Sequence, residues 1–107
     1  MCIRDRGNAS AQRDLAVAFD AMGNVQLRMG DTKAALEMYR NSLKIYESLA
    51  AVDKGNAQAQ RDLSDSFVNI GKVQLRLGNA QSALEAYKSS LKTVSYTHLT
   101  LPTILRV

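Results

Sequence analysis

Val25-Gln26-Leu27-Arg28-Met29-Gly30-Asp31 returns 48 residues later as Val73-Gln74-Leu75-Arg76-Leu77-Gly78-Asn79. Working outward, Gly7-Asn8-Ala9 falls on Gly55-Asn56-Ala57 and Ala11-Gln12-Arg13-Asp14-Leu15 on Ala59-Gln60-Arg61-Asp62-Leu63. Phe19 and Gly23 fall on Phe67 and Gly71. Ala35-Leu36-Glu37, Tyr39 and Ser42-Leu43-Lys44 fall on Ala83-Leu84-Glu85, Tyr87 and Ser90-Leu91-Lys92. Of the 39 pairs from 7/55 to 45/93, 22 are identical, which only a tandem duplication explains. A period of this size marks an array of supersecondary units, none of which can bury its apolar face alone.

Each unit reads as two helices. Leu15, Phe19, Met22, Gln26 and Met29 recur at three- and four-residue spacing along one helical face. Gly30 is a C-terminal stop, because glycine reaches the left-handed conformation at least cost. Asp31 is an N-cap acceptor for the next helix, whose stripe is Ala35, Leu36, Tyr39, Leu43, Tyr46 and Ala50. Gly55-Asn56 and Gly78-Asn79 are expected to repeat this stop-and-cap device. The spacing predicts helices over 9–29, 32–53, 57–77 and 80–93, with the last continuing about a turn further, stacked as antiparallel hairpins. Gly23 and Gly71 sit within helices at a cost of about 1 kcal/mol each, so they imply close helix approach, with Ala35 and Ala83 as the facing residues.

The ends differ from the middle. Met1 to Arg6 reads as ATG TGT ATA AGA GAC AG plus a purine, and Val94 to Thr103 reads as GTC TCT TAT ACA CAT CTG ACG CTG CCG ACG. Both resemble translated transposase-adapter DNA. The expected organisation is therefore 1–6 adapter-derived, 7–54 first repeat, 55–93 second and truncated repeat, and 94–107 adapter-derived, the two ends adding little to the core. On this reading the native N-terminus is missing, and a cytoplasmic location is the expectation.

Chemistry narrows accordingly. The chain has 107 residues, 46% hydrophobic and 22% charged, with a net charge of +4. No apolar run approaches the roughly 18 residues of a membrane span. Cys2, His98 and Pro102, each the sole residue of its type, fall in the ends. Setting the ends aside leaves 11 basic and 9 acidic side chains, a net of +2. No metal site, cofactor or Ser–His or Cys–His pair is expected without Cys or His. Asp14, Asp62 and Asp65 lie near helix starts, where a carboxylate ordinarily complements the helix dipole. Scattered, mixed-sign charge argues against nucleic-acid binding. Lys33, Glu37, Arg40 and Lys44 read as a solvated face.

Phe19, Met22-Gly23, Gly30-Asp31, Ala35-Leu36 and Tyr39, with their copies Phe67, Ile70-Gly71, Gly78-Asn79, Ala83-Leu84 and Tyr87, resemble the tetratricopeptide repeat family. Departures are Gln26 and Gln74 at the usual tyrosine of the first helix, the absence of a closing proline, and a period of 48 residues against about 34. The extra length, about two turns per helix, is similar to long-helix bacterial variants. The resemblance implies an all-α, right-handed solenoid fragment with no catalytic activity, whose first helices line a concave peptide-binding groove. It places Val17, Asp20, Asn24, Leu27 and Arg28 of the first repeat on that groove, and Asp65, Val68, Lys72, Leu75 and Arg76 of the second. Asn24/Arg28 and Lys72/Arg76 are i,i+4 pairs, so each projects together towards an acidic protein or peptide partner. Arg28 and Arg76 also suit the helix C-terminal dipole without any ligand. A structural spacer or oligomerisation array is the alternative, and a nucleic-acid-binding repeat ranks below it. With two repeats only, self-association or marginal stability is expected.

Overall fold

The computed structural model describes the backbone of residues 2–99 and the side chains of residues 9–93. Four helices follow one another: α1 (Cys2–Arg28), α2 (Thr32–Val52), α3 (Ala57–Arg76) and α4 (Ala80–Leu99). The α-helical expectation holds, and α1 packs on α2, α2 on α3, and α3 on α4. The hairpins are antiparallel. Asn24 meets Tyr39, whereas Asp20, one turn back on α1, meets Tyr46, two turns further along α2.

The two hairpin turns have one construction. Gly30 and Gly78 take φ of +86° and +84°. The Gly30 N–H donates to Leu27 O at 3.1 Å, and the Asp31 N–H donates to Gln26 O at 2.9 Å. The equivalent bonds, Gly78 to Leu75 and Asn79 to Gln74, measure 3.1 and 2.8 Å. This is the Schellman arrangement, in which a left-handed glycine lets the chain satisfy the last free carbonyls of the helix. Asp31 then caps α2 by accepting from Ala34 N at 3.1 Å, and Asn56 caps α3 by accepting from Ala59 N at 3.2 Å. Asn79 differs from both: its side-chain amide donates back to Gln74 Oε1 at 3.0 Å.

Three sequence expectations need correction. Gly55 is not a left-handed stop; α2 ends at Val52, and the Asp53 N–H bonds Leu49 O as the chain leaves the helix. With four residues, 53–56, between α2 and α3, the reversal is spread out and needs no positive φ. Helix α1 begins at Cys2, seven residues before the expected start. Gly55-Asn56 marks the turn between α2 and α3, but no turn is needed at Gly7-Asn8, and no proline stops a helix there. Helix α4 runs six residues past 93, to Leu99. What residues 1–6 and 94–107 add to the core lies outside the described side chains, as do Cys2, His98 and Pro102.

The third correction concerns the α1 stripe. Leu15, Met22 and Met29 are exposed, although their counterparts Leu63, Ile70 and Leu77 are half-buried or buried. The core forms where α2 meets α3, from Ala35, Leu36, Tyr39, Ile70 and Val73, with Leu27, Leu43, Leu77 and Ala86 packed around it. A first helix buries its whole stripe only when a second helix precedes it, as α2 precedes α3. Among the described residues, no helix is long and apolar enough to cross a membrane.

Candidate functional site

Helices α1 and α3 run in the same direction, because Arg13 comes to Asp62 near their starts and Arg28 comes near Arg76 at their C-terminal ends. Towards their starts, Arg13 Nε donates to Asp62 Oδ2 at 2.8 Å, and Arg13 Nη2 to Asp62 Oδ1 at 3.5 Å. Gln58 Nε2 adds a bond to the same carboxylate at 2.9 Å. At their C-terminal ends, Arg28 and Arg76 line one concavity of about 500 Å³ together with Asn24, Val25 and Leu27. Four residues expected on the groove, Asn24, Leu27, Arg28 and Arg76, are therefore brought together.

The polarity of this concavity follows from one bond. The Tyr39 hydroxyl donates to Asn24 Oδ1, which occupies the amide's acceptor. The Asn24 amide NH₂ remains as the donor end of an exposed side chain. Arg28 and Arg76 add guanidinium donors, each on the last turn of its helix. Burial raises the Tyr39 phenol pKa, the Asp20 charge raises it further, and the Arg76 charge opposes both. The hydroxyl thus stays protonated and donating at neutral pH.

The other expected groove residues are placed differently. Lys72 and Asp65 are exposed, as are Val17 and Leu75, and Val68 is half-buried; none of them lines the concavity. Asp20 faces α2 and not a ligand. Its Oδ2 accepts from Tyr46 Oη at 3.4 Å, while its Oδ1 is buried without a partner. Burial raises the Asp20 pKa, and the nearby Ser42 and Tyr46 hydroxyls partly counter this. The Ser42 hydroxyl lies close enough to favour the charged carboxylate but makes no hydrogen bond of good geometry. The same burial, with the Asp20 and Asp62 charges, pushes Tyr46 up to about 12.

A larger cleft of about 770 Å³ opens at the other end of the molecule, among Ala9, Arg13, Tyr46, Leu49, Val52 and Ala59. Its exposed surface is mainly apolar, and the Arg13 and Gln58 donors that line it are already engaged on Asp62. The smaller concavity is the place where directed chemistry converges.

Sequence reasoning missed the Arg13–Asp62 pair. Both residues were visible as repeated Arg-Asp dipeptides, Arg13-Asp14 and Arg61-Asp62. Their pairing across the repeat, Arg of one unit to Asp of the next, needed the spacing between helices. Among the described residues, no group of three His, Cys, Asp or Glu side chains could hold a metal ion.

A family model for the tetratricopeptide repeat matches residues 16–49 and 64–93, one match in each unit. No curated protein and no solved structure matches the chain.

Proposed function

Because the chain belongs to the tetratricopeptide repeat family, whose repeats are non-catalytic scaffolds and generally serve as protein–protein interaction modules, we propose that it binds an acidic protein or peptide segment at the concavity between α1 and α3. The observation that carries this reading is the convergence of Asn24, Arg28 and Arg76 around Leu27. With the Asn24 carbonyl held by Tyr39, the polar groups turned to the concavity are donors, and two of them are charged. Carboxylates accept such donors in charge-assisted hydrogen bonds, and a guanidinium engages both oxygens at once. Leu27 supplies a half-buried apolar floor for the aliphatic part of the same segment.

The test is fluorescence anisotropy of the full chain with an extended peptide rich in Asp and Glu, beside its Asn and Gln isostere. The acidic peptide should bind more tightly, with salt weakening it. The double variant R28E/R76E should lose about tenfold or more in affinity, with unchanged helicity by circular dichroism. Equal binding of both peptides defeats the proposal. So does an unaffected R28E/R76E variant with Asn24 substitutions equally silent; the opposite helix face, or a spacer role, then moves ahead.

A further inference from the structure

The α2·α3 contact shows how one repeat receives the next, and the two outer helices carry the two halves of that contact uncovered. On the α2 side Leu36 is 9% exposed, whereas its equivalent Leu84 on α4 is 48% exposed. On the α3 side Val73 and Ile70 are 0% and 7% exposed, whereas Val25 and Met22 on α1 are 55% and 49% exposed. Leu91 on α4 and Leu15 and Met29 on α1 extend the two open stripes. The charges match in the same sense. Arg13 of the first repeat pairs with Asp62 of the second. The equivalents, Arg61 on α3 and Asp14 on α1, are both exposed.

We propose that a second copy of this chain docks head to tail, the α4 stripe of one copy covering the α1 stripe of the next, with Arg61 of the first copy paired to Asp14 of the second. The contact repeats the chemistry of the internal α2·α3 joint: Leu84 takes the place of Leu36, and Met22 and Val25 take those of Ile70 and Val73. A docked pair keeps one free α1 stripe, on its first copy, and one free α4 stripe, on its second. The interface is therefore heterologous, and assembly is open-ended instead of stopping at a dimer. Two α4 stripes face to face would bring no Asp14 to Arg61, so the charge pair selects the head-to-tail arrangement.

Sedimentation velocity of the full chain tests this. The wild-type mass should rise with concentration through dimer, trimer and higher species. R61D alone and D14R alone should each weaken association about tenfold, since each places like charges opposite one another. An equimolar mixture of R61D and D14R should recover wild-type association. In an alternating chain of the two variants, every contact sets an acid at one of positions 61 and 14 against a base at the other. Both substitutions are on exposed helical positions, and circular dichroism should report wild-type helicity. Three results would overturn the proposal: a wild-type chain monomeric up to about 1 mM, a species that stops at dimer, or single variants that associate as the wild type does. Failure of the mixture to recover would also overturn it. Val25 borders both surfaces, but Arg61 and Asp14 do not line the concavity, so these charge variants are scored separately from the peptide-binding test.

Discussion

A Cβ placed on Gly23 would lie 2.7 Å from Cε1 of Tyr39 and 2.9 Å from its Cδ1. The tyrosine ring occupies the notch that glycine leaves in α1, and Gly71 with Tyr87 repeats the contact at 2.8 Å. In an open helix, Gly→Ala would stabilise by about 1 kcal/mol. Here the ring must move first. Tyr39 is 2% exposed and its hydroxyl is bonded to Asn24, so it has nowhere to go. Gly23→Ala should therefore destabilise by a net of about 1–3 kcal/mol. Tyr87 is only half-buried and can swing out, so Gly71→Ala should cost less. Urea unfolding of both variants measures the difference, and equal losses would show that ring mobility is not the deciding factor.

The first repeat has an Asn24–Tyr39 bond that the second cannot make. Lys72 stands in place of Asn24, and an ammonium offers Tyr87 no acceptor. Lys72→Asn should install the bond and stabilise the α3–α4 hairpin by about 0.5–1 kcal/mol, the net worth of one such hydrogen bond. Combining it with Tyr87→Phe should abolish the gain. A stabilisation that survives Tyr87→Phe would mean that the relief of a lysine charge, and not the bond, was responsible.

The hairpins were legible in the sequence because both of their signals are local. Apolar spacing sets each helix, and Gly30-Asp31 sets the turn within a few residues. What stayed hidden depends on residues far apart in the chain. Gly23 was readable as a close-approach site, yet its partner proved to be Tyr39, sixteen positions away, and not the expected Ala35. Asp20 shares a helical face with Asn24, but burial and the Tyr46 hydroxyl draw it towards α2. Asn24, Leu27, Arg28 and Arg76 were placed on the groove by the family resemblance, and of these Arg28 and Arg76 are equivalent positions 48 apart. Gly55 misled because the likeness of Gly55-Asn56 to Gly30-Asp31 carries no information about which residues between two helices absorb the reversal.

Asp20 gives stability a pH dependence. Burial raises its pKa above the ordinary 3.8, so the folded chain holds a proton that the unfolded chain has already released. The Asp20 contribution is fully present below pH 3.8, where both states are protonated, and is lost as pH rises through the folded value. Asp20→Asn removes that loss. The amide oxygen can accept from Tyr46, and the amide nitrogen can donate to Ser42 Oγ, which is buried without a partner. The variant should be more stable than wild type by about 1 kcal/mol at pH 7, with the gap closing as pH falls through the raised folded value towards 3.8. Thermal melts across pH 3 to 7 read this directly, and a variant less stable than wild type at pH 7 would refute it.

The three glycines outside the helices separate backbone strain from crowding. At Gly30 and Gly78 a Cβ meets nothing within 4 Å, so alanine would clash with no neighbour at either position. Both have φ near +85°, however, where an L-residue pays about 1–2 kcal/mol for the proximity of its Cβ to the carbonyl oxygen. Gly30→Ala and Gly78→Ala should each destabilise by about that much, and by similar amounts, because the two turns share the same hydrogen bonds. Gly55 has no positive φ, and its nearest contact would be Asp53 Oδ1 at 3.9 Å. Gly55→Ala should therefore be neutral or stabilise by up to about 1 kcal/mol, through the entropy lost by the unfolded chain. Denaturant midpoints of the three variants would rank them, with Gly55→Ala at or above wild type and the other two together below it. A Gly55→Ala loss as large as that of Gly30→Ala would place Gly55 in a left-handed conformation after all, and would restore it as the stop signal of α2.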